Sequence, residues 1–299
     1  MRRFLPLLTI AGASLLVAPA AHAAGHLDDI VTTYRDASNG WLGASVTLGR
    51  QIFFMFVGLE ILLTLYAAGF AFFSGRFAPG SLLATAIRKL LIFSLALLAL
   101  QSFPIFVPEL LRFFQTAGAR MALLNGISPS ALLDWGVLLA SQIILIGAQA
   151  GLLAFSTWSV CLLCALILLT AFALMAYRLT VLLIEAIILV TGLALFLGFA
   201  SNRFTIPLCE NYLVSVIRCG VRTLLLYLFV AVASQLVPIW ALTLYSYQTS
   251  SSGFATLLRV TAEVAIFAVV ALRLPDRLAY DLTAPSSFLQ LRQALVGNE

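Results

Sequence analysis

Arg259 and Glu263 stand four residues apart in an otherwise apolar run, the spacing that puts two side chains on one helix face and lets a guanidinium meet a carboxylate. Arg178 and Glu185 stand seven apart in a second such run, AFALMAYRLTVLLIEAIILV, and Glu60 is the one charge between Gln51 and Phe73. Groups of this kind can lock helices together, hold a partner's charge or pass protons. They cannot stay in lipid uncovered, because each costs about 2.5–3.5 kcal/mol at a helix centre. Glu60, Glu185, Arg259 and Glu263 are therefore expected to face protein or water. A proton relay would need carboxylates opposed across helices, and a structural lock is the simpler role for the Arg259–Glu263 pair.

Other constellations are missing from the sequence. His22 and His26 are the two histidines, the first inside a leader, so a histidine-based zinc site or catalytic triad cannot be assembled. Cys161 and Cys164 form a CxxC within an apolar run, where small buried residues are expected rather than a redox pair. Cys209 and Cys219 flank the 201–222 segment, and a disulfide there would contradict a cytoplasmic placement. No phosphate-binding Walker loop occurs. The chain is expected to be no enzyme, to need no cofactor or metal, and to take any energy for transport from a partner.

The elements that position these charges follow from composition. With 62% hydrophobic and 10% charged residues and a mean hydropathy of +1.07, the chain has far more apolar surface than one soluble core can hide. Runs of about 20 apolar residues recur, which favours helices over barrel strands of about 10. The expected fold is all-α, a polytopic transmembrane bundle of about five to seven spans with amphipathic periplasmic helices.

Along the chain, Arg2 and Arg3, an apolar run from Phe4 to Val17, and then Pro19 and Ala21-His22-Ala23 make residues 1–23 a signal peptide cut before Ala24. Residues 24–50 read as a periplasmic amphipathic helix closing near Asn39-Gly40, with Trp41 as an interfacial anchor. Residues 51–107 hold the first transmembrane pair, the second member broken by Pro104 and Pro108. Residues 108–152 are amphipathic, periplasmic or re-entrant, and residues 153–274 hold the carboxyl-terminal spans before a polar tail at 275–299. Gly151 to Ala200 is too long for one crossing of about 30 Å and is expected to form two spans meeting near Tyr177-Arg178. If the run continued as one helix instead, Arg178 and Glu185 would share a face.

Net charge is +5, or +3 without Arg2 and Arg3, and Lys89 is the only lysine. The arginines are scattered at the ends of apolar runs, a topology signal rather than a nucleic-acid footprint. Six spans after an external amino terminus would put Arg203, Arg218, Arg222, Arg273, Arg277 and Arg292 outside, against the positive-inside rule. An additional membrane-inserted segment at 131–152 would invert this, although Asp134 and Gln142 make it a reluctant crossing. The expected location is the bacterial inner membrane, multi-pass, with the amino terminus periplasmic after signal cleavage and the carboxyl terminus cytoplasmic.

Four stretches carry a family likeness: SNGWLGA, GLEILLTL, LLRFFQTAGARMALLNGISPSALLDWG and, most specifically, LLIEAIILVTGLALFLGFASNRFT at 182–205. In these the chain resembles the TrbL family, the VirB-type polytopic inner-membrane component of conjugative type IV secretion systems. The resemblance covers nearly the whole mature chain with loose patterns. It implies a channel or scaffold component that helps transfer DNA or protein across the inner membrane and assemble the stalk or pilus. It also implies a ring of identical copies, five by analogy, set in the lipid bilayer beside a minor pilus or stalk subunit. Other inner-membrane components, ATPases that supply the work, and transient contact with transferred DNA complete the implied partners. The interfacial or partner-contact candidates are Trp41, Arg112, Arg120, Asp134, Trp135, Arg178 and Arg203, with residues 108–152 expected to meet substrate or stalk. A small-solute permease or secondary transporter is the alternative. Against it stand the lack of an internal repeat and of paired Gly/Pro-broken spans.

Overall fold

The computed structural model describes residues 5–75, 79–121, 128–149, 155–202, 204–247 and 253–283. Six helices account for them: α1 (Leu5–Phe73), α2 (Pro79–Met121), α3 (Pro129–Gln149), α4 (Phe155–Gly198), α5 (Ile206–Tyr247) and α6 (Gly253–Leu282), with a 3-10 turn at Phe199–Ser201. No strand occurs among the described residues. All six helices contain a stretch long and apolar enough to cross a membrane. The expected all-α polytopic architecture is what the chain forms.

Three expected breaks are absent. Helix α1 runs unbroken through Asn39-Gly40, since a glycine costs a helix interior only about 1 kcal/mol relative to alanine. The polar side chains nearby are also satisfied within the helix, Ser38 Oγ donating to Arg35 O at 2.6 Å and Thr47 Oγ1 to Gly43 O at 3.0 Å. Helix α2 continues past Pro104 and Pro108, as helices in apolar surroundings often do when neighbours cover the freed backbone groups. Helix α4 shows no turn at Tyr177-Arg178 and runs for 44 residues. Length alone suggested a hairpin there, but from Phe155 to Thr191 there is no glycine, proline or asparagine to make one.

The chain divides into two compact units, and α1, α2, α4 and α5 contribute to both. The first consists of Met1–Thr33, Phe114–Ile184 and Val221–Glu299. Its core is an interleaved set of Leu139, Ile143, Leu168, Phe172, Met175, Leu244, Leu257 and Val264. Here α3 and α4 run antiparallel: a Cβ placed on Gly136 would come 2.6 Å from Phe172 Cβ, and one on Gly147 would come 3.0 Å from Cys161 Cβ. Helices α5 and α6 are likewise antiparallel, with Trp240 and Phe229 each edge-on to Phe267 at 6.1 and 6.3 Å. Extending both registers brings Ser130, Arg178, Arg222 and Asp276 to one end of this unit. The other end carries the last turns of α3 and α5 and the first turns of α4 and α6.

The second unit consists of Tyr34–Phe113 and Glu185–Gly220. Its core is Val190, Leu193, Ala194 and Val216, with Leu42, Val46 and Tyr212 packed against it. Glycines let α1 and α4 touch backbone to backbone. A Cβ on Gly198 would lie 2.5 Å from Gly49 O, and one on Gly49 would collide with Ala194 O. The chain then reverses after α4 through Ser201 and Asn202, both buried. Ser201 Oγ donates to Phe53 O at 3.3 Å, and Asn202 Oδ1 accepts the Phe204 N–H at 2.9 Å. Residues 201–222, expected as a connecting segment, thus form a tight turn and the first part of a helix. The reason is local: Asn202 O accepts both Thr205 N–H and Ile206 N–H at 3.0 Å, which starts α5 at once.

Candidate functional site

In the second unit Glu60 is the one buried acidic side chain, 6% exposed, and its partner is Lys89. Lys89 Nζ donates to Glu60 Oε1 at 2.7 Å and to Thr64 Oγ1 at 2.5 Å, joining α1 to α2. Thr64 is one helical turn from Glu60 and donates to its carbonyl at 2.6 Å, so its hydroxyl is held where the ammonium can reach it. Among the described residues Glu60 Oε2 has no hydrogen-bond partner. In the sequence Lys89 stands out only as the single lysine. No spacing rule links residues 29 apart, and only the fact that the chain holds one lysine could have singled it out.

In the first unit Arg259 Nε donates to Glu263 Oε1 at 2.8 Å, the i, i+4 pairing expected from the spacing. Trp240 Nε1 on α5 donates to Glu263 Oε2 at 3.2 Å, tying the pair to the neighbouring helix. Arg259 remains largely exposed on the outer face of α6.

Arg178 meets Asp276 on α6. Arg222 of α5 approaches the other carboxylate oxygen of Asp276 at 3.4 Å. One carboxylate is therefore shared by two guanidiniums from two different helices. Arg178 is not at a hairpin tip; it pairs with Asp276, and Glu185 lies half-buried farther along the same continuous helix. Asp276 escaped the sequence reading because it follows Pro275 in what looked like a polar tail; α6 in fact runs through Pro275 to Leu282.

The remaining candidates are dispersed. Trp41 is exposed on α1, Arg112 is exposed and paired with Glu109 at 3.0 Å, and Arg120 is exposed in the last turn of α2. Asp134 is exposed on α3, whereas its neighbour Trp135 packs against the apolar core. Arg203 lies outside the described residues. At the start of α3, Ser130 Oγ donates to Asp28 of α1, and Ser128 Oγ caps the helix by accepting the Ala131 N–H at 3.2 Å.

All four cysteines are free and buried. Cys161 and Cys164 face the core, Cys161 against Gly147, as small packing residues. Cys209 and Cys219 lie on one helix ten residues apart, about 15 Å along its axis and far outside disulfide reach. The Lys89–Glu60, Arg178–Asp276 and Arg222–Asp276 pairs join helices, and Trp240 ties the Arg259–Glu263 pair to α5; their geometry provides for cohesion.

These features define the class: a multi-pass α-helical membrane protein whose few charges are held in inter-helix pairs and at the ends of apolar helices. A scan of protein-family models finds none that matches the chain, and a search of curated proteins finds no match.

Proposed function

We propose that this protein is an inner-membrane channel or scaffold component of a conjugative type IV secretion system, of the TrbL type. In that role it works as a ring of copies beside a stalk or pilus subunit, with partner ATPases supplying the energy. The observation that carries the reading is the stretch 182–205, the segment of strongest family likeness. It is built as one device: an apolar helix end seated on α1 through Gly198, followed by a buried Ser201–Asn202 turn. A segment so constrained suits a subunit that must keep its shape under load. The catalytic constellations absent from the sequence fit a structural or conducting part rather than an enzyme.

The orientation belongs to the same proposal. Arg178, Arg222, Arg273 and Arg277 gather at one end of the first unit, and the ends of α4, α5 and α6 at Phe155, Tyr247 and Gly253, which carry no charged residue, lie at the other. By the positive-inside rule the arginine end is cytoplasmic, and the carboxyl terminus with it. Asp28 meets Ser130 at that same end, which supports a cytoplasmic position for residues near 28 as well. The periplasmic amino terminus expected from the leader is thereby replaced in this proposal by a cytoplasmic one.

A clean deletion of the gene in a mating donor is the test. Transfer of the plasmid is expected to fall to background and to return on complementation, with uptake of small solutes unchanged. Normal mating frequency would reject the secretion role, and a lost uptake activity would favour a permease.

A further inference from the structure

We propose that the Arg178–Asp276–Arg222 cluster is a binding site for the phosphate headgroup of an anionic phospholipid. This requires only that the protein spans a bilayer and is independent of the secretion role. The first observation is depth. Counting from Phe155 to Arg178, from Arg222 to Tyr247 and from Gly253 to Asp276, each helix segment is about 35–39 Å long at 1.5 Å per residue. The hydrocarbon core is about 30 Å thick. With the Phe155, Tyr247 and Gly253 ends of these helices at one surface, the cluster falls in the headgroup layer of the other.

The second observation is charge. Two guanidiniums share one carboxylate, leaving the trio with a net positive charge, and none of the three side chains is more than 36% exposed. Arg273 and Arg277 are exposed on α6 within a turn of Asp276. Asp276 would repel an anion on its own, but here it lies between Arg178 and Arg222 and orients them. A guanidinium presents five N–H donors in a planar fork that matches phosphate, and the single Asp276 contact of Arg178 engages only some of its five.

The third observation concerns what surrounds the charge. Tyr177 at 64%, Tyr280 at 56%, and Leu274 and Leu278 at 38% are exposed beside it. Apolar and aromatic surface next to a half-buried basic pair suits a headgroup with acyl chains attached, rather than a free anion, and basic sites between membrane helices are where anionic headgroups collect.

Native mass spectrometry of the full-length protein in detergent tests this, with phosphatidylglycerol, cardiolipin, phosphatidylcholine or inorganic phosphate added. The wild type is expected to retain the two anionic lipids at least fivefold better than phosphatidylcholine. Arg178→Gln and Arg222→Gln should each cut that retention about fivefold, the effect of one basic residue near a charged surface. Arg259→Gln, at a different level of α6, should leave it unchanged. Asp276→Asn supplies the decisive arm. It should raise anionic-lipid retention by freeing both guanidiniums, whereas a cluster that serves packing alone would lose stability without gaining lipid. Equal retention of zwitterionic lipid, unaltered retention in the arginine variants, or displacement of the lipid by inorganic phosphate at millimolar concentration would each overturn the assignment.

Discussion

Glu60 and Lys89 show how a charge survives in apolar surroundings. A carboxylate that is 6% exposed is tolerable only with a cation at 2.7 Å, and the ammonium is steadied in turn by Thr64. Removing one member leaves the other uncompensated, which in buried pairs costs about 3–5 kcal/mol, whereas replacing both with apolar groups is often neutral. Lys89 is 29% exposed along its side chain and can reach toward polar surroundings, so the lower end of that range applies. Lys89→Met should therefore lower the thermal midpoint in detergent clearly, by about 3 kcal/mol of stability. The double variant Glu60→Leu/Lys89→Met should regain most of that loss. A double variant as unstable as the sum of the two single ones would mean that the two residues do not act as a pair.

At the scale of elements, the contact between α1 and α4 depends on glycine. A Cβ at Gly198 would meet the backbone of Gly49, O at 2.5 Å and Cα at 3.2 Å, and backbone cannot move aside as a side chain can. Gly198→Val is expected to cost about 2–3 kcal/mol, within the overpacking range, and to broaden the size-exclusion profile. Gly58→Ala on α1 is the matched control, since nothing lies within 4 Å of its Cβ position, and it should be neutral or slightly stabilising. Equal behaviour of the two variants would remove the glycine contact as the reason that α4 ends where it does. The partners of Gly192 and Gly198 are not legible in the sequence. Gly49 and Tyr212 are far away along the chain, and the Tyr212 hydroxyl reaches back to Leu189 O at 3.0 Å beside Gly192.

For the whole molecule, the decisive property is which residues share an end of a unit. Single cysteines in a background without the four native ones report this directly. Introduced at His26, Ser250 and Ser286, they should fall into two classes: Ser250 labelled by an impermeant reagent from the periplasm, and the other two labelled only after the membrane is opened. Labelling of His26 from outside with Ser286 protected would restore the arrangement read from the leader and the charge count. It would also require Asp28 to leave Ser130.

Much of the architecture was written in composition, because a chain with 62% hydrophobic residues has no solvent-stable alternative to apolar helices. The Arg259–Glu263 pair was equally legible, since one helical turn is a local distance. What the sequence by itself determined was the class, the helices and the pairs within one turn. Tertiary structure alone decided that Lys89 neutralises Glu60 and that Asp276 is shared by Arg178 and Arg222. The physical reason is range: helix formation follows from neighbours a few residues apart, whereas a buried charge selects its partner by proximity in space, across separations of 29, 54 and 98 residues that no periodicity encodes.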